Sequence, residues 1–211
     1  MIKVRKATLA DAADIIRIGR DVFSATFGHS VPEPELLAYL DSAYTEPLIS
    51  AELEDATKDI LVAVHDGQLQ DVGSDPTSTA SSTSNNNNDS SSSSSSSTGD
   101  DGVVVGFAQL TRGSSSAEPC VAKLVQAGSS VELQRLYVDV SYHGMGIGSR
   151  LAGAIEDIAR NQGFTHMWLG VWEENRAAAR VYAKLGYSGI GFHDFVVGSI
   201  VQRDDILMKQ L

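Results

Sequence analysis

The alternation of apolar and polar residues predicts a strand at the start of the chain, followed by two helices. Residues 2–8 (IKVRKAT) alternate as a strand, and Thr8 with Asp11 resembles a capping box that opens a helix. Two runs of apolar residues at helical spacing follow. The first run contains Ala12, Ile15, Ile16, Gly19, Val22 and Phe23, and the second contains Leu36, Leu37, Leu40, Ala43 and Tyr44.

The rest of the chain continues the pattern of strands and helices. Strands are predicted over 59–67, 103–110, 131–140, 166–174, 189–198 and 203–211. One helix carries Leu151 and Ile155 on its apolar face and ends at Gly163, and another is capped by Asn175 and ends at Gly186. The order β-α-α-β-β-β-α-β-α-β-β predicts an α/β (α+β) fold, with a sheet of mixed direction and helices on its faces.

Residues 73–101 form a Ser/Asn-rich segment between two of the predicted strands. The segment has no apolar residue larger than alanine, so it cannot bury enough surface to offset the entropy of ordering it. Loop closure becomes costlier only slowly with length. We therefore expect a disordered loop inserted into a single domain that spans residues 1–211.

Charge and composition narrow the classes of partner. With 27 acidic against 16 basic residues the formal net charge is −11, which argues against nucleic acid and favours cationic partners. No apolar stretch is long enough for a membrane span, and the opening residues lack the apolar region of a secretory signal. The single cysteine, Cys120, cannot form a disulfide framework, so the sequence predicts a cytoplasmic protein. It predicts no metal site.

The segment SYHGMGIGSRL (141–151) places a glycine-rich turn between a strand and a helix. This arrangement predicts an anion site, because unpaired backbone N–H groups and the positive end of the helix dipole meet there. A P-loop would need a lysine, whereas Gly148 is followed by Ser149 and Arg150. A dinucleotide fingerprint would need its third glycine at Ser149. A turn that binds no ligand remains an alternative.

The glycine turn and a second motif together resemble the GCN5-related N-acetyltransferase (GNAT) superfamily. The second motif, in WLGVWEENRAAARVYAKLGY, follows about 25 residues after the first. The resemblance implies a mostly antiparallel sheet of about seven strands that binds acetyl-CoA, with the diphosphate at the turn. The residues it places at the cofactor are Leu136, Tyr137, Val138, His143, Gly144, Met145, Gly146, Ile147, Gly148, Ser149, Asn175 and Tyr182.

One residue departs from the family pattern and another has two explanations. His143 stands where the family has Arg or Gln, and a neutral imidazole adds no fixed charge, so weaker or pH-dependent cofactor binding is expected. Asn175 is explained equally well as a helix cap and as a cofactor contact.

Acetyl transfer to an amine requires a base and an acid. The amine has a pKa of about 10.4, so a base must remove its proton, and Glu132 is the first candidate by its place on the strand that leads to the turn. By its position in the second motif, the resemblance implies that Tyr182 protonates the leaving sulfur. The amide of Val138 or of a neighbour would polarise the thioester carbonyl. A surface or substrate-orienting role for Glu132 and a core role for Tyr182 remain open.

The expected acceptor is a small cationic amine. Several segments resemble polyamine (spermidine/spermine) N-acetyltransferases of the PaiA type, and carboxylates near strand ends could hold a polycation. The candidate substrate-binding residues are Glu132, Trp172, Glu173 and His193. Alternative acceptors are a protein lysine, an amino acid or a xenobiotic amine, and a non-catalytic acyl-CoA-binding module is a further alternative. The sequence leaves the oligomeric state open, with a homodimer as one option.

Overall fold

The computed structural model describes residues 1–66, 102–126 and 128–211. The loop predicted over 73–101 lies outside these residues. The strands are β1 (Ile2–Lys6), β2 (Lys58–His65), β3 (Val103–Thr111), β4 (Ser130–Val138), β5 (His166–Trp172), β6 (Ser188–Val197) and β7 (Ile200–Gln210). The α-helices are α1 (Ala12–Phe27), α2 (Glu33–Ala43), α3 (Glu46–Glu54), α4 (Pro119–Ala122), α5 (Ile147–Asn161) and α6 (Arg176–Lys184).

The seven strands form one sheet in the order β1-β2-β3-β4-β5-β7-β6. Among the described strands, β4 and β5 form the parallel pair and every other neighbouring pair is antiparallel. This arrangement confirms the predicted mixed, mostly antiparallel sheet.

Each face of the sheet is covered by helices. Apolar residues of α5 and α6, such as Leu151, Ile155 and Tyr182, pack with Leu169 on one face. Residues of α1 to α3, such as Ile15, Leu40 and Ile49, pack with Phe107 on the other. These are termed the α5 face and the α1 face. No helix in the described part of the chain combines the length and apolar character needed to cross a membrane.

Several predicted element boundaries differ from the structure. The helix α3 was not predicted, although Thr45 caps it by accepting a hydrogen bond from the amide of Leu48 and Pro47 stands in its first turn. The short helix α4 was also not predicted. The strand predicted to reach Val140 ends at Val138, because the Asp139 carboxylate accepts a hydrogen bond from the Ser141 amide and closes a 3₁₀ turn.

Candidate functional site

The centre of the sheet contains a gap between β4 and β5. The two strands pair only near their starts, where Glu132 stands opposite Trp168. Beyond this point β4 runs on to Val138 and β5 to Trp172 without pairing with each other. The gap therefore exposes the edges of two strands in the middle of the sheet.

Alternate residues of β4 direct their main-chain groups into this gap. The amide of Asp139 donates a hydrogen bond to the carbonyl of Val105, on the β3 side. Because successive residues of a strand point their N–H groups to opposite sides, Leu136 and Val138 direct theirs into the gap, whereas Tyr137 bonds toward β3. The Tyr137 side chain lies on the α1 face, where its hydroxyl is 3.2 Å from that of Tyr44.

A bulge in β4 sets this alternation. Between β3 and β4 the register shifts, so that Gln109 pairs with Arg135 and Leu110 with Leu133, which leaves Gln134 as the extra residue. The Oε1 atom of Gln134 accepts hydrogen bonds from Gln109 at 2.8 Å and from Thr111 at 2.7 Å. Side-chain hydrogen bonds therefore hold the bulge in place.

The glycine turn leads directly into α5 and leaves the start of this helix open. Gly144 and Gly146 have φ angles of 80° and 75°, which glycine adopts without strain. A Cβ atom on either residue would meet nothing within 4 Å, so the space beside the turn is free. Gly146 caps α5 without a side-chain hydrogen bond, and the first turn holds no acidic residue. The amides of the first turn, which includes Gly148 and Ser149, are therefore free to bind an anion.

His143 uses its ring within the protein. Its Nε2 atom lies 2.9 Å from the carbonyl oxygen of Val138, so the ring is placed to donate a hydrogen bond to the end of β4. Its side chain is exposed, as is that of Met145. In this arrangement His143 connects the glycine turn to β4, and an anion at the turn would be bound by main-chain amides.

Helix α6 contributes Asn175 and Tyr182. The Oδ1 atom of Asn175 accepts a hydrogen bond from the amide of Ala178 at 3.1 Å, which confirms the predicted cap. Tyr182 is buried on the α5 face, in edge contact with the ring of Tyr187. Burial raises the pKa of Tyr182, and Tyr137 raises it further, so its hydroxyl keeps its proton at neutral pH.

On the α1 face, Glu132 lies half-buried at the closed end of the gap. Burial raises the pKa of Glu132, and the Ser114 hydroxyl and His193 offset part of this effect. A carboxyl group with a raised pKa is suited to accept a proton near neutral pH.

Aromatic rings cover the same face at the open end of the gap. Trp172 is buried, with its ring 5.1 Å from that of Phe27 and 5.6 Å from that of His29. The ring of Phe195 lies 6.0 Å from that of Tyr39. Glu173, predicted as a substrate contact, is exposed just beyond β5, 3.8 Å from the Arg203 guanidinium.

His193 lies between two carboxylates. Its Nδ1 atom is 2.7 Å from Glu118, and its Nε2 atom is 3.9 Å from Asp204. Burial works to raise the pKa of Glu118, but the His193 ring and the Cys120 amide outweigh it and hold that pKa below its ordinary value. By contrast, burial raises the pKa of Asp204 to about 6, and His193 opposes this only in part.

Glu118 and Asp204 were not predicted as site residues. Glu118 is the cap of the unpredicted helix α4 and accepts a hydrogen bond from the Cys120 amide. Asp204 lies in β7, opposite Trp172 and His193, within a strand that was predicted without any site residue. Asp204 stands in the polar stretch Gln202–Asp205, so no local pattern distinguished it as a site residue. In the described residues no three His, Cys, Asp or Glu side chains are grouped as metal ligands.

Comparison with known proteins agrees with this geometry. The sequence profile of the acetyltransferase (GNAT) family matches residues 61–187. An uncharacterized N-acetyltransferase of Mycobacterium tuberculosis is 32% identical over 111 residues, which are 53% of this chain and 63% of that protein. An uncharacterized N-acetyltransferase of Lactobacillus delbrueckii subsp. lactis is 23% identical over 210 residues, 100% of this chain and 98% of that protein.

The fold is also found among solved structures. The PaiA N-acetyltransferase of Thermoplasma acidophilum, solved in complex with coenzyme A, has a TM-score of 0.62 and 18% identity, and the match covers 100% of this chain and 99% of that one. This likeness concerns the fold. Because the family profile covers more than half of the sequence, the chain belongs to the GNAT family of acetyltransferases.

Proposed function

We propose that this protein is an acetyl-CoA-dependent N-acetyltransferase acting on a primary amine of a small cationic, polyamine-like acceptor. The observation that carries the proposal is the gap between β4 and β5, which opens beside the glycine turn. Coenzyme A has an extended chain with amide groups that ends in a diphosphate. The amides of Leu136 and Val138 could bind the extended chain as an added strand, and the start of α5 could bind the diphosphate.

The predicted residues can carry out a direct transfer. Glu132 takes one proton from the acceptor ammonium, and the free amine attacks the thioester carbon. An amide of β4 stabilises the negative oxygen of the tetrahedral intermediate. The C–S bond then breaks, Tyr182 protonates the leaving sulfur, and the second proton lost by the nitrogen restores Tyr182 through solvent.

The α1 face supports a cationic acceptor. Glu132, Glu118 and Asp204 bring three carboxylates to this face, and aromatic rings enclose it. The net charge of −11 would also attract cations to the protein. The sequence resemblance to polyamine N-acetyltransferases of the PaiA type also favours such an acceptor. We place the reaction in the cytoplasm and leave a homodimer open.

A thiol-release assay tests this proposal. Purified protein is mixed with acetyl-CoA and, in separate reactions, spermidine, butylamine, free lysine and a lysine-containing peptide. We expect the highest kcat/KM for spermidine. Binding of acetyl-CoA without thiol release for any amine would contradict the proposal and favour a non-catalytic binding module.

A further inference from the structure

Asp204 is a carboxylate whose hydrogen-bonding capacity is not used within the described structure. Its Oδ1 atom is buried and has no hydrogen-bond partner among the described residues. Its Oδ2 atom lies 3.9 Å from Nε2 of His193, beyond hydrogen-bond distance. If Nδ1–H of a neutral His193 donates to Glu118, its Nε2 atom presents a lone pair to Asp204 and offers no proton. In that tautomer no described residue donates a hydrogen bond to Asp204, so a donor on a bound ligand would satisfy this carboxylate.

Asp204 is accessible from the gap through its second oxygen. A Cβ atom built on Gly170, in β5, would lie 3.5 Å from Oδ2 of Asp204. Gly170 is exposed, so the absence of a side chain there leaves Oδ2 open toward the gap. Tyr39 and Tyr137 are close enough for the Asp204 charge to raise the pKa of both hydroxyls, after the larger effect of burial.

Asp204 and Glu132 lie on the same face of the sheet but at different positions along the gap. Glu132 stands opposite Trp168 at the closed end of the gap, whereas Asp204 stands opposite Trp172. The four-residue step along β5 corresponds to about 13 Å of strand. Trp172 and the tyrosines beside Asp204 supply aromatic faces, which attract cations.

We propose that Asp204 binds a second cationic group of the acceptor while the reacting amine lies beside Glu132. The acceptor is accordingly a diamine or a longer polyamine, and Asp204 determines this specificity. The inference rests on the proposed function and names a residue for it. An ammonium at Asp204 would supply the donor that the folded protein lacks, whereas a monoamine would leave the carboxylate unpaired.

Steady-state kinetics with a matched pair of amines test the inference. The protein, its Asp204→Asn variant and its Asp205→Asn variant are each assayed with 1,8-diaminooctane, which is long enough to reach both carboxylates, and with octylamine. Asp205 is the control, because it is the next residue of β7 and bonds the exposed Arg203 at 3.1 Å. We expect Asp204→Asn to raise the KM for the diamine about 10- to 100-fold and to leave its kcat and the KM for octylamine within about twofold.

The outcomes separate this inference from the proposed function. An equal change for both amines, or no change for either, overturns the role of Asp204 and leaves acetyl transfer intact. Failure of the unmodified protein to acetylate any amine overturns the proposed function and the inference with it. If Asp204→Asn does not fold, Asp204→Ser removes the same charge with a smaller side chain, and the same KM difference is expected.

Discussion

Replacing Asp204 by Asn should stabilise the ligand-free protein above neutral pH. Burial raises the pKa of Asp204 to about 6 from its ordinary value of 3.8. Above pH 6 the carboxylate is charged in both the folded and the unfolded protein, and the charged form is disfavoured in the fold. This difference in pKa corresponds to a free-energy cost of about 3 kcal/mol, an upper limit because the side chain is partly exposed.

The sign of the pH dependence follows from the raised pKa. As the pH falls from 7 to 4, the folded protein takes up a proton at Asp204 before the unfolded chain does, so the cost disappears. The gain in unfolding free energy from Asp204→Asn should therefore be about 2 kcal/mol at pH 8 and near zero at pH 4. Urea denaturation of both proteins at intervals between these pH values measures it.

The Asp205→Asn variant serves as control, because Asp205 makes a surface ion pair with Arg203 and its replacement should change stability by less than about 1 kcal/mol. A gain from Asp204→Asn that is independent of pH, or a loss of stability at pH 8, would show that burial of the Asp204 charge does not destabilise the fold. The predicted result would mean that the Asp204 carboxylate destabilises the fold. Residues that are needed for function often have this effect.

Three further predictions concern the turn, the core and the acid. Gly146→Ala, at φ 75°, should weaken coenzyme A binding about tenfold in calorimetry and destabilise the fold by about 1 kcal/mol, whereas Gly153→Ala within α5 should leave binding unchanged. Glu52→Gln should lower the free energy of unfolding by about 3 kcal/mol at pH 7, because it leaves the half-buried Arg135 without its counter-charge. Arg135 and Lys58 outweigh burial and lower the pKa of Glu52, so this difference should shrink as acid protonates it. Tyr182→Phe should lower kcat about 100-fold, because it removes the proposed proton donor. Tyr187→Phe, at the tyrosine whose ring contacts Tyr182, should leave kcat unchanged.

Local sequence signals predicted most of the elements correctly. Period-two and helical patterns located seven strands and the main helices, and Asn175 and Gly163 cap helices as expected. The amide of Phe164, just after Gly163, donates to the carbonyl of Ala159, as in a helix that ends on a left-handed glycine. These features depend on residues close in sequence, so the sequence alone determines them.

Features that depend on pairing between strands far apart in sequence could not be predicted. The gap arises because β4 pairs with β5 over a short stretch, and the direction of each β4 amide depends on the bulge at Gln134 opposite β3. Asp204 lies on the α1 face near β5 because β7 lies between β5 and β6 in the sheet. No local sequence pattern specifies this strand order. The glycine turn at the start of α5 could be predicted, because the turn and the helix are contiguous in sequence.

The proposed function depends on binding of the coenzyme A diphosphate by main-chain amides at the start of α5. This binding is measured by a titration of ¹⁵N-labelled protein with coenzyme A, followed by amide chemical shifts. We expect the largest shifts at Gly144, Gly146, Gly148 and Ser149, followed by Leu136 and Val138 along β4. No shift at millimolar coenzyme A, or shifts confined to residues away from the glycine turn and the gap, would contradict it.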